Sequence, residues 1–154
     1  MAGRTIHYRV GNEHSPTDPW GRSELVIHPD GTARLDHFFS RPRAPGPAER
    51  SWTGQVAPAA LEQLWAQLAQ AGFPAPPAGQ PLPPDSTIRT LVIEADGTSA
   101  EVLLSWHRTP SLPGYAEAFD IIDGVIRQLS QDTVEYPTKQ PQIVHDVIAR
   151  APEN

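Results

Sequence analysis

The chain contains no cysteine. Disulfides, thiolate metal sites and cysteine nucleophiles are therefore excluded. Lysine is nearly absent too: Lys139 stands alone among twelve basic residues, and the rest are arginines. Aromatic residues are sparse at 7% of the chain, so each of the four tryptophans is worth tracing as a place where burial or binding energy concentrates. No apolar run approaches the ~20 residues that a membrane-crossing helix requires. The first ten residues carry Arg4, His7 and Arg9 and no apolar stretch, so a signal peptide is not expected and the cytoplasm is the expected compartment. Eighteen acidic residues against twelve basic ones give a formal net charge of −6. Such a chain is repelled by phosphate backbones, which argues against nucleic-acid binding. The familiar catalytic fingerprints are missing as well. There is no Gly-rich phosphate loop ending in Gly-Lys-Ser/Thr, no Gly-x-Gly-x-x-Gly after a strand, no His-Glu-x-x-His, no Gly-x-Ser-x-Gly and no EF-hand loop.

What the chain does have is a repeat. Leu25-Val26-Ile27-His28-Pro29-Asp30-Gly31-Thr32 and Leu91-Val92-Ile93-Glu94-Ala95-Asp96-Gly97-Thr98 share the pattern L-V-I-x-x-D-G-T. Each copy is an alternating strand, a turn and a second extended run, and each is followed by a helical stretch. Two β-hairpin-plus-helix halves in one small α+β domain are the expected architecture. In the first copy, Pro29 presets φ and Gly31 takes a positive φ, which suits a type I turn with a glycine bulge. If Pro29-Asp30-Gly31 is the loop, Ile27 faces Ala33 and Leu25 faces Leu35. The second hairpin, Thr87 to Glu94 and Thr98 to His107, turns around Ala95-Asp96-Gly97.

The remaining elements follow from periodicity and from the prolines, eighteen in all, which cluster between the periodic segments as stiff loops. Thr5 to Val10 alternates as a strand. A polar loop holding Trp20 leads to a strand over Arg22 to His28, and the return strand reaches about Phe39. The loop 40–49 carries Arg41 and Arg43, and Arg50 to Val56 is a further strand containing Trp52. Leu61, Leu64, Trp65 and Leu68 form one apolar stripe, predicting a helix from Pro58 to Ala71 that Gly72 closes. A Pro-rich connector covers residues 74–84. A second helix spans Leu112 to Ser130, with Tyr115, Ala118, Phe119, Ile122, Val125, Ile126 and Leu129 inward. The tail 131–154 is expected to pack back on the domain of residues 1–130, with a short strand at Val134-Glu135-Tyr136 and a short helix from Pro141 to Arg150. The sum is an antiparallel sheet of five or six strands with helices on one face. Arg34, His37, Arg89, Glu101, Trp106 and His107 are candidates to line the other face.

Candidate chemistry is thin. The six histidines (7, 14, 28, 37, 107 and 145) include no i, i+4 pair of the kind a helical metal site uses, and no metal or cofactor is expected. Asp120 and Asp123 lie one turn apart on the second helix, where a solvated flank accounts for them better than paired-carboxylate catalysis. Asp30 and Asp96 are explained by turn geometry. Ser51, Ser105 and Ser111 have no base placed beside them by the sequence. The cluster Trp106-His107-Arg108 ends the last hairpin strand. With Trp52, Arg41 and Arg43 it forms the candidate partner surface, because Trp and Arg carry much of the binding energy at interfaces. The plainer alternative is that Trp106 closes the core and the arginines sit in solvated loops.

Leu61-x-x-Leu64-x-x-x-Leu68-x-x-Ala71-Gly72-Phe73-Pro74, a proline-rich gap, then Arg89-Thr90-Leu91-Val92-Ile93 with its Asp-Gly hairpin and a last helix resemble, in layout, the emfourin-type protein inhibitors of thermolysin-like metalloproteases and related small bacterial proteins. The resemblance spans roughly residues 22–130 and implies a protein-binding, non-catalytic role without assigning any inhibitory residue. Three functions stay open. The first is a cytoplasmic inhibitor or immunity-type module that binds a toxin or enzyme. The second is a small-ligand or enzymatic domain using His107, His37 and Arg89 between sheet and helices. The third is a self-associating structural domain.

Overall fold

A computed structural model describes residues 3–11, 21–38, 49–74, 87–106 and 112–130. Strands β1 (Thr5–Gly11), β2 (Arg22–Ile27), β3 (Thr32–Phe38) and β4 (Glu49–Gln55) precede helix α1 (Pro58–Ala71). Strands β5 (Ile88–Ala95) and β6 (Thr98–Ser105) precede helix α2 (Tyr115–Leu129). All six strands form one antiparallel sheet in the order β4-β3-β2-β1-β5-β6. The protein is thus α+β, but its two parts are unequal: four strands lead to α1 and two to α2. Strand β1 sits between the two L-V-I strands and pairs with both. The tail strand and tail helix expected after Ser130 lie outside the described residues.

The two copies of the repeat close differently. In the second, Ala95 pairs with Thr98 and the loop is Asp96 and Gly97 alone, at φ 54° and 76°, the two positive values of a type I′ turn. The same closure in the first copy would need Pro29 to donate an N–H that it lacks. The bond moves one residue back, and the His28 N–H donates to the Thr32 carbonyl at 2.9 Å. Gly31 then takes φ 89°, and Ile27 faces Ala33 and Leu25 faces Leu35, as the pattern predicts. One extra loop residue shifts the parity of the return strand. Ala33, two residues after Gly31, turns inward, whereas after Gly97 the first inward position is the third, Ala100, opposite buried Ile93.

Register sorts the covered face into three cross-sheet rows. Gly54, Ala33, Ile27, Ile6, Ile93 and Ala100 form one, and Trp52, Leu35, Leu25, Tyr8, Leu91 and Val102 the next. The third row holds the polar residues of this face, Arg50, His37, Ser23 and Arg89, together with Val10 and Leu104. Both helices cover these rows. Helix α1 starts with Pro58 at its first turn and inserts Ala60, Leu64 and Leu68. It ends at Gly72 (φ 85°), where the Phe73 N–H reaches back to the Leu68 carbonyl at 3.0 Å in a Schellman closure. Helix α2 buries every residue of its predicted stripe from Tyr115 to Leu129. Its start packs on the end of α1 so closely that a Cβ on Gly114 would lie 2.7 Å from the Ala71 nitrogen. The strand ends Gly11, Arg22, Phe38, Glu49, Ile88 and Ser105 all lie at one end of the sheet, and the two Asp-Gly turns lie at the other.

Candidate functional site

The polar row is where the helix layer meets charge. Arg89 is 4% exposed, yet it carries a guanidinium into the core, where three neighbouring elements supply its contacts. From α2, Asp123 accepts two bonds, Nη1 to Oδ1 at 2.9 Å and Nη2 to Oδ2 at 3.1 Å. From β1, the Tyr8 hydroxyl accepts from Nη1 at 2.8 Å. The Phe119 ring on α2 and the Trp106 ring just after β6 lie 5.0 and 5.6 Å from the guanidinium carbon, in the range of cation–π contact. Burial opposes the charge on Arg89, but Asp123 and then Tyr8 outweigh it, and the group is held protonated above its ordinary range. Burial pushes the Tyr8 hydroxyl well above its ordinary value, against the opposing pull of Arg89. The Arg89 Nε is buried without a hydrogen-bond partner. Two steps along the row, the Ser23 hydroxyl and His37 Nδ1 stand 2.7 Å apart, both fully enclosed.

This arrangement corrects three expectations. Arg89 and His37 are candidates from the sequence to line the open face, but strand parity turns both under the helices. Asp123 is expected on a solvated flank, but it is buried and holds Arg89; Asp120 is the exposed member, its carboxyl pushed up by partial burial and then by Asp123. A pocket combining His37 with Arg89 also fails to converge. Val10 and Ser23 intervene, which separates the two by three strand spacings, or about 14 Å. What Arg89, Asp123 and Tyr8 do chemically is fix one another. The bidentate pair ties α2 to β5 through Asp123.

The candidate partner surface is divided by the fold. Trp52 lies on β4 and Trp106 follows β6, the two opposite edges of the sheet, five strand spacings or about 24 Å apart. Trp52 is half-buried on the helix side, with Arg50 over its ring at 5.2 Å. Trp106 is half-buried against the core, and its backbone N–H donates to the Thr87 carbonyl at 2.9 Å. Its ring shields Arg89, so part of its role is structural. His107, Arg108, Arg41 and Arg43 lie outside the described residues. Sequence inspection passes over Leu103, which at 41% exposure is the large apolar side chain left open among the described residues. Its signal was available: in Val102-Leu103-Leu104 on a one-sided sheet, one of three adjacent apolar residues has to face outward. Among the described residues, no helix is long and apolar enough to cross a membrane, and no group of three or more His, Asp or Glu could hold a metal ion. The chain matches no known family model and no curated protein sequence.

Proposed function

We propose that this chain is a small non-enzymatic protein-binding module of the inhibitor or immunity type, acting in the cytoplasm by surface complementarity against a toxin or enzyme. The observation that supports this reading most is the division of labour between the two sheet faces. The polar chemistry of the covered face is spent internally, Arg89 on Asp123 and Tyr8, Ser23 on His37. The opposite face is a broad plane of strand side chains with Leu103 exposed near its edge, the kind of surface that gains energy when a partner removes it from water. The emfourin-like order of elements points toward an inhibitor. The test is to express the tagged full chain in its source cell, isolate any complex by size exclusion and titrate the chain against the recovered enzyme or toxin. A one-to-one complex with loss of the partner's activity is the expected result. Failure to recover any stoichiometric partner would count decisively against it.

A further inference from the structure

Strand β6 is an edge with unusual character. Among the described residues it pairs with β5 alone. Ala95 and Thr98 close the two-residue turn as a hydrogen-bonded pair, so bonded pairs recur at Ile93–Ala100 and Leu91–Val102. The backbone N–H and C=O groups of Ser99, Glu101 and Leu103 consequently point away from β5, and all three residues are exposed. Sheet edges are normally blunted by charged side chains, lysine above all, by proline or by distortion. The other edge is: β4 carries both Glu49 and Arg50. Strand β6 has no basic residue and no proline; its one charge is Glu101, and it exposes Leu103 beside it on the same face. Every exposed charge on the β5–β6 hairpin is negative, namely Glu94, Asp96 and Glu101, because the hairpin's one cation, Arg89, is buried against Asp123. The β2–β3 hairpin instead keeps cations at its surface, with Arg22 near Glu24 and Arg34 near Asp36, which leaves Asp30 in the turn as its one carboxylate without an arginine beside it.

From this we infer that β6 is an acceptor edge for an extended, basic segment of a protein partner, which would add as a seventh strand. Its backbone bonds to Ser99, Glu101 and Leu103, an apolar side chain lies beside Leu103, and Lys or Arg side chains lie beside the carboxylates. A second copy of this chain is the wrong occupant, since antiparallel pairing about Glu101, the middle of the edge, would set that carboxylate directly opposite its own counterpart. The inference rests on the binding-module reading and narrows it to one edge and one partner chemistry. The test selects a displayed library of random nonapeptides on the full chain. Sequences with Lys or Arg at alternate positions are expected to be enriched, and the best of them to protect the Ser99, Glu101 and Leu103 amides from hydrogen exchange. N-methylation along the peptide's docking edge, or Leu103→Lys in the chain, is expected to weaken binding at least about tenfold with the fold unchanged by circular dichroism. No enrichment, enrichment of acidic sequences, or protection elsewhere overturns the inference. So does a dimer in sedimentation that protects the same amides without peptide. A natural partner that binds another surface leaves the binding module standing and removes β6. Peptides that dock on β6 where no natural partner exists do the reverse.

Discussion

At the scale of single residues, the largest consequences belong to the buried ion pair. Asp123→Ala leaves the Arg89 guanidinium enclosed without its bidentate acceptor, and removing one member of a buried pair typically costs about 3–5 kcal/mol. Replacing both, as Arg89→Met with Asp123→Leu, removes the stranded charge and is expected to recover most of that loss; urea unfolding of the two singles and the double measures the coupling. A recovery no better than the sum of the singles would show that the pair does not act as a unit. Tyr8 gives the cluster a pH signature. Its hydroxyl is raised in the folded protein, chiefly by burial, from an ordinary value of 10.0. Below pH 10 both states keep the proton and stability is intact. Above it the unfolded chain releases a proton that the folded chain retains, so stability falls as pH rises. Tyr8→Phe should flatten that alkaline decline by about 1.4 kcal/mol per pH unit, read from urea midpoints across the alkaline range. None of this was legible in the sequence. Asp123 sits beside Ile122 on a helix whose polar flank also holds Asp120; the parity of β5 turns Arg89 toward that helix, and the rotation of α2 on the sheet sets Asp123 against it.

At the scale of elements, the sequence was most readable where period and punctuation agree. Helix α1 has its apolar stripe, Pro58 at its start and Gly72 just past its end, and its bounds match those read from the sequence. The first hairpin's register was readable because Pro29 admits few turns. The second turn was not, since Asp96-Gly97 accepts a tighter loop once no proline forbids it. The two turn glycines therefore differ in what they tolerate. Gly97 has positive φ but open space where a Cβ would stand, so Gly97→Ala should cost about 1 kcal/mol of left-handed strain. Gly31 has the same strain, and a Cβ there would also lie 2.9 Å from the Val56 carbonyl, which β4 holds in place. Adding the overpacking cost brings Gly31→Ala to roughly 3 kcal/mol. Thermal melts of the two variants should separate them clearly. Equal destabilisation would mean that the Val56 contact yields freely.

At the scale of the whole molecule, the separation of charge matters more than its sum. The net charge of −6 could be read from composition, but its placement could not. It depends on Arg89 leaving the β5–β6 surface for the core, while Arg22 and Arg34 stay beside their own carboxylates. The fold thereby gives a mildly acidic protein a β5–β6 hairpin whose own exposed charges are all carboxylates, with His7 of β1 3.4 Å from Glu94. The candidate surface read from the sequence meets the same limit. Trp52 and Trp106 look like members of one cluster in the sequence, and only the strand order places them on opposite edges. A local field of this kind acts at long range on encounter, and salt screens it within about 8 Å at physiological ionic strength. For a basic partner strand, the association rate should fall steeply with added salt, while the dissociation rate, set by backbone bonds and the contact at Leu103, should change little. Glu94→Gln with Glu101→Gln should flatten the salt dependence of association, and stopped-flow measurements at several ionic strengths would resolve both rates. If the double variant instead kept the full salt slope, the steering charge would have to lie elsewhere on the molecule, and the acidic hairpin would lose its part in recognition.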